Sequence, residues 1–169
     1  MTAEDDEPEL SGLLDRLVFS LREPIDFTQS DPNATLAQVG LLTAAAISFN
    51  VLVVTDFGGR SGPAREEGLV EQVVAAAFQT YAGVDPHPGP FEKAAMLMRG
   101  ITQGHPFNDG NKRTGLLLAA YYLELVGYPA PGRLVADEVV DFCLRVSAGA
   151  VRDVTAIATE LRDLWASAD

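Results

Sequence analysis

Cysteine is nearly absent: Cys143 is the only one among 169 residues. No internal disulfide framework is possible, and a reducing compartment fits. Histidine is almost as scarce, with only His87 and His105, so with one thiol the ligand set of a zinc site is missing. Basic residues are also few, 12 against 24 acidic ones, which gives a formal net charge of −12. A chain this acidic repels a phosphate backbone, and no basic patch exceeds Lys112-Arg113, so nucleic acid is not an expected partner. The most apolar stretch, Leu41 to Val54, contains Thr43, Ser48 and Asn50 and reads as too short to span a bilayer. The N-terminus has no basic start followed by an apolar run, hence no secretory signal. No serine or threonine sits in a nucleophile-elbow sequence, and no Gly-Lys-Ser/Thr follows the glycine-rich stretch at Gly58 to Gly62. The expectation is a soluble, cytoplasmic protein that contacts neither membrane nor nucleic acid.

What is present is enough apolar sequence for an ordinary core, 47% hydrophobic against 21% charged, over a length that suits one domain. An acidic start (Glu4, Asp5, Asp6, Glu7, Glu9) precedes Leu10, Leu13, Leu14, Leu17 and Leu21, whose spacing predicts a short amphipathic helix. Asp31-Pro32-Asn33 reads as a turn, and Ala34 to about Val54 as a buried helix whose β-branched end, Val51 to Thr55, could be extended. Three glycines and a proline make Phe57 to Pro63 irregular. Helices then follow at Leu69 to Phe78 and Phe91 to Gly104, separated by the proline-rich loop Asp85 to Pro90. Thr114 to Leu125 is apolar nearly all round, which marks a central buried helix. Val135, Val139, Val140, Phe142, Cys143 and Val146 define another, and Asp153 is the expected N-cap of the last. The predicted fold is all-α, six or seven helices. Residues 1–33 form an N-terminal extension, and 34–169 form the main domain.

The chemistry concentrates in His105-Pro-Phe-Asn-Asp-Gly-Asn-Lys-Arg113. Asp109-Gly110-Asn111 is turn-forming and stands directly before the central helix, whose first N–H groups lack intrahelical partners and attract an anion. Lys112 and Arg113 lie in that first turn, where the helix dipole disfavours cations unless an anion sits between. Arg113 can fork around phosphate oxygens, and Lys112 supplies a point charge. Asp109, beside a polyphosphate, suits Mg²⁺, which takes one or two carboxylates plus phosphate oxygens. His105 can accept a proton from an attacking hydroxyl. Phe107, apolar among polar neighbours, is expected to anchor the loop. His87, among prolines, reads as a surface residue and Cys143 as inert core.

This loop resembles the signature of the Fic/Doc family, His-x-Phe-x-(Asp/Glu)-Gly/Ala-Asn-(Gly/Lys)-Arg, and is most similar to its Doc branch. Phe57-Gly-Gly with Arg65-Glu-Glu-Gly-Leu69 resembles the family's upstream loop, and the last two helices resemble its ending. The likeness runs from about Ala45 to Trp165; the first forty or so residues have no counterpart. It implies a Fic/Doc-like helical bundle with a flap, Gly59, Arg60, Ser61 and Gly62, which a small β-hairpin could form. It implies His105 as general base, Asp109 as Mg²⁺ ligand, Phe107 as anchor, and Asn108, Gly110, Asn111, Lys112 and Arg113 as phosphate-binding residues. ATP or another nucleoside triphosphate is the implied co-substrate.

Lys112 is the informative position. Relatives that transfer AMP usually carry glycine there, whereas Doc carries lysine and transfers the γ-phosphate. The resemblance therefore implies a toxin that phosphorylates a serine or threonine hydroxyl of a protein, with elongation factor Tu as the candidate target and translation as the process stopped. Two alternatives stay open at this point: a protein adenylyltransferase or other nucleotidyltransferase, and a catalytically silent binding module. Against silence stands the complete set His105, Asp109, Asn111 and Arg113. Some relatives carry an inhibitory helix marked Ser/Thr-x-x-x-Glu-Gly/Asn; here Pro63, not Ser or Thr, stands four residues before Glu67-Gly68, so control by a separate antitoxin is expected.

Overall fold

The computed structural model describes residues 32–62, 68–131 and 136–166. Within them lie six helices: α1 (Pro32–Phe57), α2 (Leu69–Ala76), α3 (Pro90–Gly104), α4 (Asn111–Leu125), α5 (Ala136–Ser147) and α6 (Val154–Ala166). Among the described residues there is no strand, only an isolated bridge between Tyr81 and Val84 that closes a tight turn. The amphipathic helix expected at Leu10 to Leu21, and Val135, lie outside the described residues.

The all-round apolar pattern of α4 has the consequence expected of it: every residue from Thr114 to Leu123 is buried. α4 is the central rod, with α3 along one side and α1 along another. Gly115 sets the approach to α3, because a Cβ there would stand 2.9 Å from the Met98 carbonyl oxygen. On the other side Phe49 of α1 meets Tyr121 of α4 edge to face, centroids 5.7 Å apart. Val154, Ile157, Ala158 and Leu161 of α6 complete the core, and the Asp153 carboxylate caps that helix by accepting from the Ala156 N–H at 3.0 Å. Arg145 ties α5 to α6 through a forked pair with Glu160 at 3.0 and 2.6 Å.

Four sequence expectations need correction. Helix α1 starts at Pro32, not Ala34, because proline's fixed φ suits the first helical turn as well as a loop. It also runs straight through Val51 to Thr55; packing of its inner face outweighs the β-branched preference for extension. The resulting apolar helix is not too short to cross a bilayer, since Thr35–Phe57 has the length and composition to do so. Its inner face, with Leu42, Ala45, Ala46, Phe49 and Val53, is buried inside the protein, whereas Leu36, Ile47 and Val51 on the outer face are exposed. On α5, Val139, Phe142, Cys143 and Val146 fill the inward i, i+3, i+4, i+7 positions, which turns Val140 out to 56% exposure.

Candidate functional site

The loop between α3 and α4 carries the motif. α3 ends at His105, whose backbone is left-handed (φ 47°, ψ 54°) while its N–H still reaches the Ile101 carbonyl at 3.3 Å. Such a conformation costs a non-glycine residue roughly 1–2 kcal/mol. It reverses the chain so that Pro106 and Phe107 turn inward, Phe107 to 1% exposure, while the His105 side chain stays exposed. The loop is then stapled by Asn111. Its Oδ1 accepts the Phe107 N–H at 3.0 Å and its Nδ2 donates to the Phe107 carbonyl at 2.9 Å. The buried Asn111 side chain is thus committed to the loop, and its backbone N–H is what it offers to an anion.

Gly110 precedes α4 in the left-handed region, φ 76°. A Cβ there would meet Val53 Cγ1 at 2.9 Å and Asn50 Nδ2 at 3.3 Å, so glycine is required both by conformation and by space. The first inward bond of α4 is Thr114 N–H to the Gly110 carbonyl, 2.9 Å. That leaves the N–H groups of Asn111, Lys112 and Arg113 as an electropositive end. Lys112 and Arg113 are both exposed on this turn, and the Arg113 guanidinium carbon stacks 4.0 Å above the Phe57 ring centre.

One face of α1 therefore forms the seat of the turn. Asn50, Val53, Val54 and Phe57 recur at i, i+3, i+4 and i+7, and each touches the motif or the space that a side chain at Gly110 would fill. Asn50 was missed as a site residue in the sequence. Its only signal is an amide within the apolar stretch Leu41 to Val54, where polar residues argue against a membrane span.

The flap follows directly from α1. Gly58 (φ 83°) ends the helix, and Gly59 (φ 118°) lies so close to Asp109 that a Cβ would be 2.9 Å from the aspartate Cβ. The described part, Gly58 to Gly62, is an irregular bend, not a hairpin. It clasps the motif at several points. Arg60 N–H donates to Asp109 Oδ2 at 2.8 Å, the Arg60 guanidinium reaches Asn108 Oδ1 at 3.4 Å, and the Asn108 N–H donates to the Gly62 carbonyl at 3.1 Å. Ser61 is exposed on this bend. Residues 63–67, including Arg65 and Glu67, lie outside the described residues.

Asp109 is exposed, and among the described residues no three His, Cys, Asp or Glu side chains converge. A single protein carboxylate suits a hard cation that arrives with phosphate oxygens, and it does not suit a structural zinc. His87 is half-buried, away from the motif, with its N–H on Asp85 Oδ1 at 2.9 Å. Cys143 is buried, and burial pushes its thiol up to about 12 although the charges of Arg113 and Lys112 pull the other way.

The fold and this loop define a class of protein: a helical bundle that presents a glycine-shaped turn at a helix start, with an exposed imidazole and an exposed carboxylate on the same loop. The sequence profile of the Fic/DOC family matches residues 41–123. The "Toxin Doc" of Mycolicibacterium smegmatis is 31% identical over 128 residues, 76% of this chain and 91% of that protein. The "Protein kinase doc" of Escherichia phage P1 is 30% identical over 112 residues, 66% of this chain and 81% of that protein. A Fido domain-containing protein of Dictyostelium discoideum is 35% identical over 71 residues, 41% of this chain and 50% of that protein. The chain belongs to the Fic/Doc family.

Proposed function

We propose that this protein is a Doc-like toxin that transfers the γ-phosphate of ATP, or another nucleoside triphosphate, to a serine or threonine hydroxyl of a target protein. The observation that carries the reading is Lys112: a lysine, not glycine, stands exposed in the first turn of α4 beside the anion-binding N–H groups. The name of one relative, a protein kinase, supports the same reaction, and the name of another supports a toxin.

In this reading the turn at Gly110, the backbone N–H groups of Asn111 to Arg113, and the Lys112 and Arg113 side chains hold the phosphates. Asn108 borders them from the flap side. His105 takes the proton of the acceptor hydroxyl as its oxygen bonds to the γ-phosphorus, and the bond to the β–γ bridging oxygen breaks to release nucleoside diphosphate. Mg²⁺ held at Asp109 would neutralise phosphate charge. The flap, Gly59 to Gly62, borders the groove in which the acceptor segment lies. A cognate antitoxin is the expected controlling partner, and a translation factor such as elongation factor Tu the candidate target.

The test is transfer of label from γ-labelled ATP to a protein in cell extract, with wild type beside His105→Ala. The expected result is labelling that falls about 10²-fold or more in the variant. Because His105 is exposed, its loss should leave the fold intact. Full labelling by folded His105→Ala would contradict the mechanism.

A further inference from the structure

We infer that Asn50 is a positioning residue that holds the flap and the Asp109 carboxylate in register. The amide is fully buried, 0% exposed, in the C-terminal third of α1. It bonds to three separate segments. Oδ1 accepts the Gly62 N–H of the flap at 3.1 Å; Nδ2 donates to the Asp109 carbonyl of the motif loop at 2.7 Å and lies 3.4 Å from Thr114 Oγ1 of α4.

These bonds close a ring. Asp109 is held at its carbonyl by Asn50 and at its carboxylate by the Arg60 N–H, and the Arg60 segment is itself held to Asn50 through Gly62. The aim of the carboxylate and the height of the flap are thus set by one side chain. A buried amide bonded at both its oxygen and its nitrogen is held in one orientation, and removal of either end leaves a buried donor or acceptor unpaired. Besides Asn50, the nucleotide turn has further support in the stack of Arg113 on Phe57 and in the Asn111 staple. Loss of Asn50 should therefore weaken metal and acceptor binding more than nucleotide binding itself.

The consequence for transfer rests on the proposed phosphotransfer; the ring of bonds does not, so the two are tested separately. Asn50→Asp keeps the acceptor for Gly62 but sets a carboxylate oxygen against the Asp109 carbonyl. Asn50→Leu removes both links. Leu42→Ala, on the same helix but away from the amide, serves as the control for lost stability. Labelling from γ-labelled ATP is measured against Mg²⁺ concentration and against extract concentration. For Asn50→Asp the Mg²⁺ needed for half-maximal labelling should rise about 10-fold or more. In Asn50→Leu the extract concentration needed should rise as well, while Leu42→Ala changes neither. In parallel, amide exchange of Gly62 is followed by NMR, with protection expected in wild type and Asn50→Asp and lost in Asn50→Leu. If folded Asn50→Asp shows wild-type Mg²⁺ dependence, or Gly62 protection survives in Asn50→Leu, the inference is wrong. If wild type transfers no label but Gly62 protection follows this pattern, the ring stands and the proposed reaction fails. Where Asn50→Leu does not fold, Asn50→Asp and wild-type Gly62 protection decide.

Discussion

Phe57, the last residue of α1, lies beneath Arg113 of α4, with the guanidinium carbon 4.0 Å from the ring centre. The stack fixes a cationic fork at a helix N-terminus, a place the dipole disfavours for a cation until an anion binds. Phe57→Leu keeps apolar bulk and removes the ring. At an exposed site the interaction is worth about 0.5–1 kcal/mol. The KM for ATP should rise a few-fold while kcat and thermal stability stay nearly unchanged. An unchanged KM would show that Arg113 needs no such support.

Gly110 has two reasons to be glycine: a φ of 76° and Val53 Cγ1 2.9 Å from where a Cβ would stand. Gly110→Ala should cost roughly 1–2 kcal/mol from the backbone alone, with the clash added. The expected outcome is a lowered Tm together with loss of transfer beyond what stability explains, because the turn moves the N–H groups proposed to hold phosphate. Wild-type transfer by a folded Gly110→Ala protein would mean that the turn is not the phosphate site.

Much of this was legible in the sequence, for a physical reason. The glycine, the two cations and the imidazole of the proposed site lie within nine consecutive residues, so that constellation is local. The central burial of α4 was equally plain, since an all-round apolar helix has only one place to go. What escaped was non-local. Asn50 reaches Asp109 across 59 residues, and Gly115 matters because of the Met98 carbonyl on a neighbouring helix; neither partner is written next to the residue it controls. At the end of α1 local β preference points to extension, while tertiary packing decides for helix. The committed side chain of Asn111 was also out of reach, since residue type alone does not say whether an amide faces a ligand or its own loop.

Cys143 gives a prediction about pH. Burial raises its thiol from an ordinary 9.0 to about 12, so the folded protein holds the proton more tightly than the unfolded chain. Its contribution to stability is therefore complete below pH 9 and is lost as pH rises from 9 toward 12. At neutral pH iodoacetamide should label urea-unfolded protein readily and native protein hardly at all, and Cys143→Ala should leave transfer intact. Rapid labelling of the native protein would place the thiol in a different environment.

Lys112 should decide which phosphate reacts. Its side chain stands exposed on the turn, so Lys112→Gly should not disturb the fold, but it opens space beside the N–H groups. The expected outcome is weaker transfer from γ-labelled ATP and the appearance of transfer from α-labelled ATP. If the variant keeps wild-type γ-transfer and gains none from the α-position, the lysine does not set the orientation of the nucleotide.

The central claim is γ-phosphate transfer, and it is tested most directly by incubating the wild-type protein with Mg²⁺ and cell extract in paired reactions, one with γ-labelled and one with α-labelled ATP. The account predicts a labelled protein band in the γ reaction and none in the α reaction. A band in the α reaction alone would contradict it and make the protein a nucleotidyltransferase.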